Sequence, residues 1–258
     1  MPERTEYAPG TPNWVDCQTS DQSAAKQFYG QLFGWTFEDL PVDEANGVYY
    51  SMATIGGLEV AAIAPLGDMA AQGVPPHWNS YVSTNDVDAT TALVAPAGGT
   101  TMMPPMDVMD AGRMSVVADP TGAVINIWQP KNNIGAQLVN AAGAVSWTEL
   151  LTPDPARAAE FYNKVFGWTG NPVEGMEYTE FKLDGNSIAG AMKPPMPGMP
   201  AMWTVYFTTD DTDATVAKAQ SLGASIMAPP TDIPPGRFAV IADPQGAMFN
   251  VIKMAATM

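Results

Sequence analysis

Hydrophobic side chains along the first part of the chain change their spacing in a regular order. Residues 11–19 are rich in aromatic and β-branched side chains, which is typical of a strand. Ser20-Asp21 then offers a helix cap, and Gly34 ends a segment with apolar side chains at helical spacing. Those apolar positions are Ala25, Phe28, Tyr29, Leu32 and Phe33. Strand-like stretches follow at 47–54 and 58–64, so the order is strand, helix, strands.

The same order recurs between residues 75 and 130. A strand is predicted at 78–84, and a helix starts at Asp86 or Asp88 and ends at Gly98-Gly99. Further strands are predicted near 100–103, 113–118 and 123–128. Before the last of them, Asp119-Pro120-Thr121-Gly122 has the residue types of a β-turn, with Asp first, Pro second and Gly fourth. The first half of the chain therefore holds two βαβββ units.

The whole arrangement is written twice in tandem. Trp14 matches Trp147, 133 positions later, and FYGQLFGW matches FYNKVFGW. WNSYVSTNDVDAT then matches WTVYFTTDDTDAT at an offset of 125, and ADPTGA matches ADPQGA at an offset of 124. We therefore predict an α+β chain of two domains, residues 11–130 and 144–254, with a linker around 130–143. Their units span 11–65, 75–130, 144–194 and 200–254.

Composition narrows the classes of partner and location. The 258-residue chain carries 27 acidic side chains against 11 Lys and Arg, a net charge of −16 at pH 7. Such a surface repels phosphate backbones and anionic lipid, so we expect neither nucleic-acid nor membrane binding. Cys17 is the single cysteine, which excludes an internal disulfide. No apolar run approaches the roughly 18 residues of a membrane span, no signal-peptide pattern opens the chain, and a cytoplasmic location is expected.

A known superfamily combines the same motifs. A strand, a helix ending in FYxxxFGW, further strands and a closing DPxG turn resemble the vicinal-oxygen-chelate superfamily of glyoxalases, bleomycin-resistance proteins and extradiol dioxygenases. The tandem arrangement is similar to that of an actinobacterial group within it. The resemblance implies that two βαβββ units wrap into a cupped mixed sheet with helices outside. It also implies that each cup holds a divalent metal or, in binding members, only a ligand.

The positions that carry metal ligands in this superfamily hold other residue types here. In the first domain they fall on Trp14, on Val60 to Ile63, on Trp78 or Asn79, and on Asn126. In the second domain they fall on Trp147, on Ala189 to Ala191, on Trp203 or Thr204, and on Asn250. None is His, Glu, Asp or Cys, whereas a catalytic transition-metal site needs about three such ligands. The single histidine, His77, is interpreted as a strand-entry residue. We therefore expect no metal and no other cofactor.

A carboxylate follows each of the two matched tryptophans. Asp16 and Glu149 lie two residues after Trp14 and Trp147, so strand alternation places each acid on the face of its tryptophan. A carboxyl group walled by indole can have a raised pKa and transfer a proton without a cofactor. Asp16 and Glu149 are therefore the candidate catalytic residues.

Other side chains are candidates for contact with a ligand. In the first domain they are Trp14, Gln18, Asn79, Arg113, Asn126 and Trp128. In the second domain they are Trp147, Thr204, Arg237 and Asn250. Aromatic walls with a few convergent polar groups are typical of small-molecule sites. The alternative for the tryptophans is core packing. The alternative for the arginines is a structural salt bridge, for example to Asp107 or Asp232.

Methionine is frequent beside the strands that would form the rim of each cup. Of 17 in the chain, four crowd the second domain just before its last unit. These four are Met192, Met196, Met199 and Met202. Flexible, polarizable thioethers suit loops that adapt to apolar ligands, and they equally suit gap-filling in a proline-rich connection.

Two functions from different classes follow from these residues. The first is a metal-free protein that binds a small hydrophobic or aromatic metabolite or drug in the cup of one or both domains. The second is a glyoxalase-like lyase, or another cofactor-free enzyme, that acts on small carbonyl compounds. In either case one of the two cups can be a filled scaffold. The expected assembly is a monomer of two pseudo-symmetric domains or a homodimer.

Overall fold

Sixteen strands, four α-helices and two short 3-10 helices make up the computed structural model, which describes residues 2–255. The first sheet contains Pro12–Thr19 (β1), Thr36–Asp43 (β2), Val48–Ile55 (β3), Leu58–Pro65 (β4), His77–Ser83 (β5), Thr100–Val108 (β6), Gly112–Ala118 (β7) and Val124–Pro130 (β8). The second contains Val145–Leu151 (β9), Thr169–Pro172 (β10), Tyr178–Leu183 (β11), Asn186–Met192 (β12), Met202–Thr208 (β13), Ser225–Ile233 (β14), Gly236–Ala242 (β15) and Met248–Met254 (β16). The helices are Gln22–Phe33 (α1), Val87–Ala92 (α2), Pro155–Phe166 (α3) and Thr212–Ser221 (α4).

Each sheet has eight strands in one topology, which confirms the predicted α+β fold of tandem βαβββ units. The orders are β2-β3-β4-β1-β5-β8-β7-β6 and β10-β11-β12-β9-β13-β16-β15-β14. The two units of a sheet meet at its centre, where β1 pairs with β5 and β9 pairs with β13, both antiparallel. Within a unit, the first strand pairs with the last strand in parallel, as β1 does with β4. The strand that opens each unit therefore lies near the middle of the sheet.

The two long helices begin and end where local chemistry favours it. The Asp21 carboxylate accepts a hydrogen bond from the Ala24 amide at 2.9 Å, and Gly34 ends α1 in a left-handed conformation with φ of 76°. In the repeat, Asp154 caps α3 and Gly167 ends it with φ of 77°. The predicted starts and stops of these helices are confirmed.

Two predicted boundaries were wrong. The second helix ends at Ala92 rather than at Gly98-Gly99, because Pro96 has no amide to continue a helix and its ring clashes with the preceding turn. The strand predicted near 100–103 extends to Val108. Two edge strands, β2 and β10, were not predicted, because TFEDLPVD and TGNP have neither alternation nor many apolar side chains.

The helices lie on the sheet faces that meet the other half of the chain. Phe28, Tyr29 and Phe33 of α1 pack with Phe207 and Phe249 of the second sheet. The mirrored core joins the α3 aromatic side chains to strands of the first sheet. Two reciprocal hydrogen bonds from side chains to the backbone of the other half accompany these cores. The Trp35 indole donates to the Gly143 carbonyl at 2.9 Å, and the Trp168 indole donates to the Gly10 carbonyl. The two halves thus share their hydrophobic cores.

Within residues 2–255, none of the helices is both long and apolar enough to cross a membrane.

Candidate ligand-binding cups

The face of each sheet opposite the helices is concave, and we call these faces cup 1 in the first sheet and cup 2 in the second. Val15 and Cys17 of β1 belong to the core shared with the helices. Because side chains alternate along a strand, Trp14 and Asp16 lie on the opposite face, in cup 1. In cup 2, the helix-facing Leu150 likewise places Glu149 on the concave face. Cys17 therefore points toward the helix.

Asp16 lies at the centre of a buried hydrogen-bond network in cup 1. Its Oδ2 accepts from the Tyr81 hydroxyl at 2.6 Å and from the Tyr50 hydroxyl at 3.0 Å, and its Oδ1 accepts from Asn79 Nδ2 at 2.9 Å. The Trp14 indole in turn donates to the Tyr50 hydroxyl at 2.8 Å. Burial raises the pKa of Asp16, and the three hydrogen bonds oppose this shift. Both carboxylate oxygens already have partners from the protein.

Cup 2 repeats the network with a longer acid. The Tyr206 hydroxyl donates to Glu149 Oε2 at 2.7 Å, and the Trp147 indole donates to the Tyr178 hydroxyl at 3.0 Å. Burial raises the pKa of Glu149, while hydrogen bonding by Tyr206 and Tyr178 lowers it. In each cup, tryptophan, tyrosine, carboxyl group and a second tyrosine therefore form one connected set.

The four tyrosines of these networks were missed by the sequence analysis. They are Tyr50, Tyr81, Tyr178 and Tyr206. A signal was present for two of them, since Tyr81 and Tyr206 occupy the same position in the matched WNSY and WTVY segments. Tyr81 also lies two residues after Asn79, which places both on one face. Tyr50 and Tyr178 lie outside the matched segments, and the number of positions between them differs from the offsets of those segments. No comparable pattern therefore marked them.

The other predicted polar residues divide between the two cups. Gln18 pairs with His77 on neighbouring strands at the outer end of cup 1, and His77 is the first residue of β5. Asn126 pairs across the sheet with Tyr81, and Trp128 belongs to the buried cluster around Trp14. In cup 2, Asn250 donates to the Thr204 hydroxyl at 2.8 Å. The structure therefore brings these candidates together with the acid of their own cup.

Arg113 and Arg237 lie elsewhere. Arg113 neighbours the cup-facing Met114 on β7, so alternation points it to the helix side of the sheet. It contacts Asp88 at 2.9 Å and Asp107 at 3.4 Å. Arg237 contacts Asp213 at 2.7 Å and Asp232 at 3.0 Å in the same way. The two arginines join helix starts to strands and are not brought to either cup.

The side chains at the superfamily's metal-binding positions do not fit a transition metal. In cup 1 the concave residues on the four central strands include Trp14, Ala62, Asn79 and Asn126, and Ala62 lies beside Asp16 in the register. Groups of three or more His, Cys, Asp or Glu that could hold a metal are absent from residues 2–255. An indole, a methyl group and two carboxamides supply no imidazole or carboxylate ligand. No catalytic step through a metal is derived for these cups.

Fold, repeat and cup geometry together define the class of protein. The family model of the Glyoxalase/Bleomycin resistance protein/Dioxygenase superfamily matches residues 11–127 and again residues 144–251. The chain belongs to this superfamily, as the motif resemblance predicted.

Particular relatives share the tandem arrangement over nearly the whole chain. "Putative glyoxylase CFP32" of Mycobacterium tuberculosis is 53% identical over 259 residues, covering 99% of both chains. "Anthracycline biosynthesis protein DnrV" of Streptomyces peucetius is 36% identical over 264 residues, covering 97% of this chain and 95% of that protein.

Solved structures with the same fold have low sequence identity. The Mn(II)-bound glyoxalase from Novosphingobium aromaticivorans has a TM-score of 0.64 at 14% identity, covering 97% of this chain and 86% of that chain. The 2,3-dioxygenase LapB from Pseudomonas sp. KL28 has a TM-score of 0.63 at 14% identity, covering 95% and 92%. These similarities establish the fold alone. The chemistry depends on the residues of the cups.

Proposed function

We propose that this protein binds a small hydrophobic or aromatic metabolite or drug in a cup, without a bound metal. The observation that carries the proposal is the replacement of a metal site by an aromatic wall and a buried carboxyl group. In cup 1 two phenol groups donate to the acid, and in cup 2 the Tyr206 hydroxyl does so. In each cup the indole donates to the hydroxyl of the other tyrosine, Tyr50 or Tyr178. Such a surface offers stacking, apolar contact and a single strong acceptor, which together suit an aromatic compound with a hydroxyl group.

The name of one relative supports this chemistry. DnrV, at 36% identity, is named for anthracycline biosynthesis, and anthracyclines are polycyclic aromatic compounds with phenolic hydroxyl groups. A planar aromatic ring system is therefore the first ligand class to test.

A second function is favoured by the burial of Glu149. Burial raises the pKa of Glu149, and a buried carboxyl group that exchanges a proton is what a cofactor-free enzyme needs next to a carbonyl group. The name glyoxylase, borne by a relative at 53% identity, agrees with a small carbonyl substrate. This lyase remains the alternative to simple binding.

Thermal unfolding and elemental analysis test the proposal together. The purified protein is assayed for bound Zn, Ni, Fe and Mn. It is then unfolded by heat in the presence and absence of quinizarin or β-naphthol, two planar hydroxyaromatic probes. A ligand present at 100 times its Kd should stabilise the fold by about 2.7 kcal/mol. Stoichiometric metal, or no stabilisation by either probe, would contradict metal-free binding of aromatic compounds.

Carboxamide variants distinguish the lyase from the binding protein. Glu149→Gln and Asp16→Asn keep the size of each side chain and remove its titration. If a small ketoaldehyde is turned over and the turnover is lost in one of these variants while probe binding persists, the lyase is supported. Binding with no turnover in the wild type supports the binding protein.

A further inference from the structure

We infer that the ligand occupies cup 2 alone and that it is a neutral planar aromatic compound whose hydroxyl group donates to Glu149. This inference rests on the proposed function and adds to it the site and the ligand class. Cup 1 is then the filled counterpart, stabilised by its own side chains. The two cups are repeats of one sequence arrangement, so a preference of the ligand for cup 2 must come from the positions at which the cups differ.

The first difference is a segment that crosses one end of cup 1. Residues 131–139, which we call the crossing segment, leave β8 and pass the beginnings of β1 and β4. The Ala136 amide donates to the Asn13 carbonyl at 2.8 Å, and the Gln137 amide donates to the Glu59 carbonyl at 2.7 Å. The indole of Trp128 donates to the Asn133 carbonyl at 2.9 Å. The crossing segment is therefore fixed to the floor of cup 1.

The crossing segment completes a hydrophobic cluster inside cup 1. Ala136 packs with the buried aromatic side chains of the cup, which are only 7% to 8% exposed. The whole buried cluster is Trp14, Met52, Ala62, Tyr81, Trp128 and Ala136. These aromatic surfaces already contact one another, so a ligand would have to displace packed protein to reach them.

Cup 2 leaves its tryptophan more accessible than cup 1 does. Trp147 is partly exposed, whereas Trp14 is only 7% exposed, and Tyr178 and Phe238 are partly exposed like Tyr50 and Met114 in cup 1. Among residues 2–255 no buried cluster corresponds to that of cup 1. Gly190 replaces Ala62 beside the acid, and the Tyr178 side chain lies directly over it. The tyrosine therefore lies low against the sheet.

The second difference lies at the outer end of the cups. In cup 1 a row across the central strands reads Ala64, Gln18 and His77. In cup 2 the corresponding row reads Met192, Leu151 and Met202, which are all partly exposed. Two thioethers and an isobutyl group form an apolar rim above Glu149, and methionine adapts to rings of different outline.

The third difference is the acceptor capacity of the acid. Asp16 takes hydrogen bonds from three side chains, on both of its oxygens. Glu149 takes its one short bond from Tyr206 on Oε2 and stands beside the hydroxyl of Tyr178. A carboxylate has about four lone-pair sites, so Glu149 can accept a further donor. A buried carboxylate on a chain of net charge −16 repels anions, and the ligand is therefore a neutral donor.

Methionine methyl NMR distinguishes the cups without changing the protein. The full chain with ¹³C-methyl methionine is titrated with β-naphthol, and resonances are assigned by single Met→Leu variants. We expect Met192 and Met202 to shift and Met52 and Met114 to stay in place, with one β-naphthol bound per chain. Shifts confined to Met52 and Met114, or two molecules bound per chain, would overturn the assignment to cup 2 and leave the proposed function standing.

A matched ligand and a matched variant complete the test. Naphthalene lacks the hydroxyl group and should bind about tenfold more weakly than β-naphthol, as a lost hydrogen bond to a charged group implies. Trp147→Leu should weaken β-naphthol binding at least tenfold, whereas Met114→Leu in cup 1, checked for folding by its thermal midpoint, should leave the Kd within twofold. Equal affinity for the two ligands would contradict the role of Glu149. Failure of β-naphthol and quinizarin to bind at all would contradict both the proposed function and this inference.

Discussion

The hydroxyl of Tyr29 donates a hydrogen bond to the Asp243 carboxylate at 2.9 Å, although 214 positions separate the two residues in the chain. The reciprocal bond joins Tyr162 to Asp119 at 3.1 Å. Each tyrosine belongs to an FY pair near the end of a helix, and each aspartate opens the closing turn of the other half. The repeated sequence motifs are thus partners of each other across the interface between the two sheets.

Loss of one of these hydroxyl groups should destabilise the fold measurably. Tyr29→Phe removes the donor to Asp243 and the acceptor of the Trp78 indole, which lies 3.0 Å away. Buried polar groups without partners cost about 1–3 kcal/mol, so we expect a loss of about 2 kcal/mol in the free energy of unfolding by urea. Tyr162→Phe should cost a similar amount. Tyr49→Phe, on a partly exposed strand, is the control, and an equally small effect for Tyr29→Phe would contradict the role of this bond.

The shared core predicts that neither half of the chain folds alone. A fragment ending at residue 130 would expose Phe28 and Phe33, which pack against Phe207 and Phe249 of the other half. Burial of each large apolar side chain contributes about 1.5–3 kcal/mol, and the loss of several exceeds the usual stability of a domain. We expect the isolated fragments 1–130 and 140–258 to lack cooperative thermal unfolding and to recover it when mixed. A fragment that unfolds cooperatively by itself would show that the halves are independent.

The sequence predicted what local chemistry determines. The Asp21 and Asp154 caps, the glycines that end α1 and α3, and the DPxG turns follow from the preferences of single residues for particular backbone conformations. Strand alternation likewise predicted that Trp14 and Asp16 share a face. The duplication strengthened each of these predictions, because the same position was observed twice.

Contacts between distant segments were not predictable in this way. Periodicity shows that one face of α1 is buried, but it does not show that strands of the other half cover that face. Trp14 and Trp147 are the same residue in the same motif, yet within residues 2–255 only Trp14 packs with a crossing segment. That segment is held largely by backbone hydrogen bonds to Asn13 and Glu59. Such bonds leave no hydrophobic period in the sequence. The difference between the cups therefore arises from the chain path as well as from the residues that line each cup.

The buried acid of cup 1 should give a characteristic pH dependence. Burial raises the pKa of Asp16 above its usual value of 3.8, so the folded chain binds more protons than the unfolded chain between the two pKa values. Its contribution to the free energy of unfolding therefore falls as the pH rises through that window and is level above it. We expect wild-type stability, measured in urea relative to Asp16→Asn, to decline with rising pH from just below 3.8.

An exposed acid provides the control of opposite sign. Hydrogen bonds from Lys26 and Ser51 lower the pKa of Asp39 below its usual 3.8. Relative to Asp39→Asn, the wild type should lose stability as the pH falls through the window below 3.8 and keep a constant advantage above it. The same slope for Asp16 and Asp39 would show that burial does not govern the titration of Asp16.

The position of Tyr178 in cup 2 should depend on the absence of a side chain at Gly190. A methyl group at Gly190 would overlap the hydroxyl and ring of Tyr178, so Gly190→Ala must lift the ring from the sheet. Overpacking of this kind costs about 1–3 kcal/mol. Because the Trp147 indole donates to the Tyr178 hydroxyl at 3.0 Å, its N–H resonance should shift in the ¹H–¹⁵N spectrum of the variant. The Trp14 indole makes the same bond to Tyr50 in cup 1 and serves as the internal control. If both indole resonances stay in place, Gly190 does not set the depth of cup 2, and if both shift, the substitution disturbs the whole fold rather than one cup.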